Sequence, residues 1–89
     1  RRGAAEALEL VAHGDSKTSR VVGRRVEEVA LPVGAQFGAI VRGSGDQAVV
    51  IMAHHDVLIE TDDHLIVFVT NRKMIPKVEK LFQVSAGFF

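Results

Sequence analysis

The apolar residues of this chain are grouped into short segments of four to seven residues, and this grouping restricts the fold more than any other feature. Five such segments have strand length and are separated by Gly, Asp, Asn or His. They are Ala7–His13, Gln36–Arg42, Ala48–Met52, Val57–Glu60 and His64–Thr70. A membrane-spanning helix needs about 20 apolar residues in a row. The pattern therefore predicts a β-sheet and no membrane insertion.

Two further segments have helical spacing. Apolar side chains recur three or four residues apart in Arg20–Val29, which predicts a short amphipathic helix after a polar turn. A last helix is predicted to begin at Pro76, with Asn71–Ile75 as a separate turn, because a proline beyond the first helical turn removes a donor. The predicted fold class is α+β: a small mixed or antiparallel sheet of four to five strands with two helices packed on it. It forms a single domain over residues 1–89.

The apolar residues within the strands predict which faces are buried. In the second strand Phe37, Ala39 and Val41 alternate with more polar neighbours, so these three side chains are expected to share one face. Ala48–Met52 is almost wholly apolar and is expected to be covered on both faces, and His64–Thr70 is apolar on both faces. Apolar residues make up 47% of a chain of only 89 residues. We therefore expect part of this apolar surface to be covered by another subunit.

Charge and composition exclude several classes of function. Lys and Arg together equal Asp and Glu, at eleven each, so the chain lacks the basic surface of a nucleic-acid-binding protein. There is no Cys, which excludes disulfides and thiolate metal sites. No signal peptide is visible at the start, so the chain is expected to be intracellular. Because the sequence does not begin with Met, we expect it to be part of a longer protein.

No catalytic motif is present, and the chain is predicted not to be an enzyme. Gly14–Arg20 has only one Gly and lacks the spacing of a phosphate-binding loop, so a polar capping turn is favoured, with anion binding there as the alternative. Six nitrogen and oxygen donors that could ligate a metal lie close together in sequence: His54, His55, Asp56, Asp62, Asp63 and His64. Adjacent side chains on an extended segment, however, point to opposite faces. No metal site is predicted. Arg24, Arg25 and Arg42 are the cations with the best placement for a ligand.

A series of motifs runs along nearly the whole chain: Leu8–Arg25, Leu31–Gly34, Gly38–Gly43, Asp63–Phe68 and Val78–Gln83, together with the terminal Phe-Phe. As an ordered set, these motifs resemble the TrkA C-terminal (RCK-C) domain family, the carboxy-terminal half of the regulator of potassium conductance unit. Two features depart from the family pattern. Asp62 stands where the family usually has Gly, and the segment Ala48–Asp56 is longer and more apolar than in near relatives.

The resemblance implies a regulatory domain that forms homodimers on the cytoplasmic side of a membrane potassium-transporting subunit. It implies NAD/NADH or ATP/ADP bound to a Rossmann domain upstream, and no cofactor in this stretch. The apolar excess is assigned to a dimer face that includes Val49, Ile51, Val57 and Ile59. Some relatives bind a cyclic dinucleotide between paired copies. The alternative is therefore a stand-alone small-molecule sensor, with its ligand held at a subunit junction near Arg25, Ile40 and Arg42.

Overall fold

A computed structural model describes residues 5–84 of the chain, and the statements below refer to these residues. One antiparallel sheet of four strands runs through the molecule, in the spatial order β1-β4-β2-β3. The strands are β1 (Glu6–Val11), β2 (Ala35–Arg42), β3 (Val49–Met52) and β4 (His64–Val69), followed by the helix α1 (Ile75–Leu81). Short 3₁₀ turns lie at Val26–Glu28, Gly45–Gln47 and Arg72–Met74. The α+β class and the four-stranded sheet are therefore confirmed.

The last helix begins where the sequence indicates. The 3₁₀ turn Arg72–Met74 precedes α1, and Pro76 lies in the first turn of α1, where its missing N–H removes no helical hydrogen bond. The side chain of Asn71 accepts a hydrogen bond from the backbone N–H of Lys73 at 2.9 Å and so caps the 3₁₀ turn.

The predicted helix over Arg20–Val29 differs in the structure, where only the 3₁₀ turn Val26–Glu28 is helical. Gly23 has a φ of +83°, which ends any helix, and its N–H donates to the carbonyl of Ile59 at 2.8 Å. The N–H of Val26 donates to the carbonyl of Val57 at 2.9 Å. Segment 23–26 thus pairs its backbone with segment 57–59. Because segment 57–59 pairs with segment 23–26, the predicted strand Val57–Glu60 is not a strand of the sheet. Its one β-bridge joins Leu58 to Arg25.

One face of the sheet carries the hydrophobic core. Leu65, Val67 and Val69 of β4 alternate along this face and are at most 1% exposed. Side chains from segment 21–31, segment 57–59 and α1 pack against them. Phe82, at the end of α1, meets Phe37 of β2 edge to face, with ring centroids 6.4 Å apart. All described segments that cover the sheet therefore lie on this one face.

The alternation predicted for β2 is interrupted by a bulge. Phe37 pairs with Val67 and Ala39 with Ile66, so the register shifts by one residue at Gly38. Beyond the bulge Ile40 faces the core, whereas Ala39 and Val41 face the other side. The prediction that Phe37 shares a face with Ala39 and Val41 is therefore wrong, because the extra residue at Gly38 reverses the orientation of those that follow.

Candidate binding surfaces

The second face of the sheet is apolar and is not covered by any described segment. We call it the outer face. By strand register its apolar members are Ala7, Val11, Ala39, Val41, Val50, Met52, Ile66 and Phe68. Three of them are strongly exposed: Val50 at 70%, Met52 at 58% and Phe68 at 46%. The prediction that Ala48–Met52 is covered on both faces is therefore wrong for this chain alone, since β3 is an edge strand with an open outer side.

On the outer face, the side chain of Phe68 lies against the neighbouring strand β2. The phenyl ring of Phe68 lies over Gly38 of the neighbouring strand, and a Cβ at Gly38 would overlap that ring. The bulge glycine thus provides the space in which the ring lies along the sheet. The main polar contact on this face joins Glu9 Oε2 and His64 Nδ1 at 2.6 Å. An apolar surface with one polar pair is suited to contact with another apolar surface.

A second constellation is built around the buried carboxylate of Asp63, whose side chain is 1% exposed. Its Oδ1 accepts from Arg42 Nε at 2.9 Å, and its Oδ2 accepts from Arg42 Nη2 at 2.8 Å. The backbone N–H of Glu60 donates to the same Oδ2 at 2.8 Å. This two-pronged guanidinium–carboxylate contact is the strong form of a protein ion pair.

Arg42 contacts three residues of segment 58–63. Besides Asp63, its guanidinium donates to the carbonyl of Leu58 at 2.8 Å and lies 3.3 Å from the carboxylate of Glu60. The hydrogen bonds to Asp63 raise the pKa of Arg42 above its ordinary value. Arg42 thereby links the end of β2 to segment 58–63. This segment leads from the part of the chain that packs on the core face into β4. The geometry assigns Arg42 a structural contact that fixes the position of this segment.

The structure brings two of the three predicted ligand-binding residues to the same place and separates the third. Arg25 lies opposite Leu58 in the antiparallel bridge, and Arg42 donates to the carbonyl of that same residue. The side chain of Arg25 is half exposed and lies 3.5 Å from the carboxylate of Glu27. Ile40 is 0% exposed and belongs to the core. A ligand at Leu58 could reach the two arginines but not Ile40.

The residues predicted for the dimer face fall into two groups. Val49 at the sheet edge is 53% exposed, and Ile51 and Val57 are partly buried against the core. Ile59 is 0% exposed and inside the core. The most exposed apolar residues of β3 are the neighbours of the predicted pair, Val50 and Met52. A strand that is apolar at every position gives no alternation from which its outward residues could be identified.

The histidines and acids considered for a metal are spread over separate turns. In residues 5–84 no group of three or more His, Asp or Glu side chains is arranged to hold a metal ion. Asp63 is held by Arg42, and His64 pairs with Glu9 on the outer face. Within the same residues no helix is long and apolar enough to cross a membrane.

Comparison with known proteins identifies what the chain is similar to. No protein-family model matches it. It is 51% identical, over its full length, to part of the Trk system potassium uptake protein TrkA of Halomonas elongata. Over 99% of its length it is 52% identical to TrkA of Vibrio alginolyticus and 47% identical to that of Haemophilus influenzae. The chain spans 19% of the first relative and 18% of the other two, about a fifth of their length. The resemblance seen in the ordered motifs is therefore confirmed.

Proposed function

Since the chain is similar over its whole length to one part of TrkA, we propose that it is a regulatory, non-catalytic module of a Trk-type potassium-uptake system. In this proposal the module acts on the cytoplasmic side of the membrane. It dimerises and couples the nucleotide or ligand state of its protein to the membrane potassium-transporting subunit. The nucleotide, NAD(H) or an adenine nucleotide, binds a Rossmann domain elsewhere in the protein. The similarity to proteins of potassium uptake carries the first part of this proposal.

The uncovered outer face carries the dimer part. Val50, Met52 and Phe68 form an exposed apolar surface that crosses three adjoining strands of the sheet. A second copy of the chain has the same flat surface, and two such faces related by a twofold axis cover each other. The chain has no net charge, so repulsion between copies is small. We place the twofold axis on the outer face, near Phe68.

A dimer of this kind couples ligand state to transport through a shift in population. A ligand that binds two arrangements of the assembly with unequal affinity favours one of them. The Arg42–Asp63 contact makes segment 58–63 move with the sheet as one body. A rearrangement of the paired sheets then also moves the segments that pack on the core face, which are 21–31, 57–59 and α1. The domain acts as a rigid coupling element in this mechanism.

The dimer face is tested by one aspartate substitution and a matched control. Val50→Asp places a charge at the most exposed large apolar residue of the outer face, on the edge strand β3, and is expected to shift the chain to monomer, because an interface does not bury an unpaired carboxylate. Val33→Asp is the control, since Val33 is 98% exposed in the turn before β2. Light scattering over a range of concentrations measures the oligomeric state. A parent chain that stays monomeric at concentrations of roughly 1 mM and above, or equal behaviour of the two variants, contradicts the proposed face.

The role in transport is tested in cells with the full-length protein. Rubidium or potassium uptake is measured with the parent, with Val50→Asp, with Val33→Asp and with the 89-residue stretch removed. Loss or misregulation of uptake on removal and with Val50→Asp, but not with Val33→Asp, supports the proposal. Normal uptake and a normal nucleotide response after removal, with the truncated protein folded and present, refute a coupling role.

The alternative of a stand-alone sensor has less support from the geometry. Nε and Nη2 of Arg42 already donate to Asp63 and Leu58, Nη1 lies 3.3 Å from the carboxylate of Glu60, and Ile40 is buried. A ligand at this place would therefore have to compete with an intact ion pair. Thermal unfolding with a panel of nucleotides and cyclic dinucleotides tests it, since a ligand that binds only the folded state raises the melting temperature. If no compound raises the melting temperature, the alternative is excluded.

A further inference from the structure

A cleft lies between the loop that follows β1 and the end of α1, away from the outer face. Its volume is ≈ 420 Å³, within the range of small-ligand sites. The loop contributes Lys17, Thr18, Arg20 and Arg24, and the end of α1 contributes Lys80 and Gln83. We call it the basic cleft, because four of the residues that line it are cations and none is an acid.

This concentration of positive charge is not a property of the chain as a whole. The sequence has equal numbers of acidic and basic residues, yet within residues 5–84 no carboxylate lines the basic cleft. The nearest acid of the loop, Asp15, turns to its own backbone and accepts from the N–H groups of Lys17 and Thr18 at 2.9 and 3.0 Å. These hydrogen bonds lower the pKa of Asp15, and its charged carboxylate caps the turn and is not part of the cleft lining.

The loop side of the cleft is held in one conformation by its own hydrogen bonds. Nη1 of Arg24 donates to the carbonyls of Ser16, Ser19 and Val22 at 2.9 to 3.1 Å. The buried hydroxyl of Ser19 accepts from two further backbone N–H groups, both at 3.0 Å. A cation held in this way gives up little conformational freedom when an anion binds.

The opposite wall does not cancel this charge. The carbonyls of Glu79 and Lys80 at the end of α1 accept from the N–H groups of Phe82 and Gln83 at 3.0 and 3.3 Å, which reduces their negative potential. The Thr18 hydroxyl already donates to Oδ1 of Asp15 at 3.2 Å and is therefore used within the loop. The basic cleft combines several cations with the side-chain amide of Gln83, and charged donors make the strong hydrogen bonds that phosphate oxygens accept. Within residues 5–84 no aromatic ring lines the cleft, so the described lining gives a nucleobase no ring on which to stack.

We propose that the basic cleft binds the phosphate groups of a small molecule through Lys17, Arg20, Arg24 and Lys80. Two or more phosphates fit this arrangement better than one, because the cations come from both walls. This site is separate from the outer face and from the Arg42–Asp63 cluster, and the proposal does not depend on dimerisation. It gives the domain a ligand site of its own.

Calorimetric titration of the 89-residue chain with inorganic pyrophosphate tests the site. The variant Lys17→Gln/Lys80→Gln removes one cation from each wall. The variant Lys73→Gln/Lys77→Gln removes the same charge from lysines that do not line the cleft. Both pairs are exposed and their substitution leaves the core intact, which circular dichroism verifies for each variant. We expect the first variant to bind at least about tenfold more weakly and the second to bind within about twofold of the parent.

A second arm separates a soluble phosphate ligand from a lipid headgroup. Vesicles of phosphatidylcholine with and without phosphatidic acid are sedimented with the parent and both variants. Binding of pyrophosphate that the cleft variant loses supports the site and identifies a soluble ligand. Binding to phosphatidic acid vesicles alone, lost in the same variant, supports phosphate recognition and identifies the membrane as its source. If the parent binds neither, or if the two variants lose binding equally, the proposal is overturned.

Discussion

Removal of Arg42 is predicted to destabilise the fold more than neutralisation of its partner Asp63. Asp63 is 1% exposed, while the side chain of Arg42 is 30% exposed. Arg42→Gln therefore leaves a carboxylate inside the protein with the N–H of Glu60 as its remaining described donor. Breaking a buried ion pair from this side costs about 3 kcal/mol, at the lower end of the usual range because water can reach the vacated arginine position.

Asp63→Asn is predicted to cost less. The amide keeps the shape of the carboxylate and one acceptor oxygen, but it loses the charge and one of the two hydrogen bonds from Arg42. The freed guanidinium can still reach Glu60 and solvent, so the expected cost is about 1.5 to 2 kcal/mol. In the double variant neither charge remains, and we expect a total near 3 kcal/mol, which gives a coupling energy of about 2 kcal/mol between the two sites.

Urea unfolding followed by circular dichroism measures these free energies, at one fixed protein concentration because any dimer adds to the apparent stability. Arg42→Lys is the matched control, since it keeps the positive charge and loses only the planar fork. Its cost is expected to be about 1 to 2 kcal/mol. A cost of Arg42→Gln below that of Asp63→Asn would refute the argument from unequal burial. A coupling energy near zero would refute the ion pair itself.

Three further substitutions test local features of the fold. Asp62 has a φ of +68°, so Asp62→Gly is expected to raise the free energy of unfolding by about 0.5 to 1 kcal/mol in urea unfolding. Asp15 has a pKa below its ordinary 3.8 through hydrogen bonds from Lys17 and Thr18, so Asp15→Ala is less stable than the parent at pH 7. That difference is present above about pH 4 and shrinks as the pH falls through the lowered pKa, which melting curves from pH 7 to 2 would show. Ile40→Ala should cost about 2 to 5 kcal/mol in thermal unfolding, because Ile40 is 0% exposed.

Helical spacing in segment 20–29 predicted three side chains that pack on the core, but it missed both Val21, which is 0% exposed, and the backbone conformation. Val22 is 7% exposed, and Val26 and Val29 pack against the core, as helical spacing predicts. The same burial is achieved by a turn at Gly23, a backbone pairing with segment 57–59 and one 3₁₀ turn. Periodicity records which side chains face the core. It does not record which backbone conformation brings them there when a distant segment supplies the hydrogen bonds.

Asp62 stands where the resemblance implies Gly, which predicts a turn of different shape at this position. The structure places Asp62 in the left-handed region, which favours Gly. The turn therefore keeps the backbone conformation that favours Gly, with Asp tolerated in it. The role of Asp63 was not predictable in the same way, because its partner Arg42 lies 21 residues earlier in the chain. Only the folded sheet shows that the two residues meet.

An apolar outer face left open by the described residues agrees with the apolar excess of the sequence, whereas its cover by another subunit and the residues of that contact stay predictions. The apolar excess indicated that a surface is covered by another subunit, whereas the choice of Val49 and Ile51 depended on a register that an all-apolar strand does not specify. In the structure Ile40 pairs with Ile51 and Val41 with Val50. Because Ile40 faces the core beyond the bulge at Gly38, Val50 faces outward. The identity of the outward residues thus depends on one glycine in a different strand.

The size of the outer face sets the strength of the dimer that it can form. Val50, Met52 and Phe68 are between 46% and 70% exposed, so each has about 1 kcal/mol of burial still available. In a symmetric dimer these side chains contribute about 6 kcal/mol, close to the lower estimates for the cost of association. The half-buried residues around them add less. The isolated chain should therefore dimerise only very weakly, with a Kd of roughly 1 mM or higher. When another part of the protein holds two copies together, the same contact becomes intramolecular and is populated without a high concentration. A weak face of this kind can open and close in response to a ligand, which a strong interface would prevent.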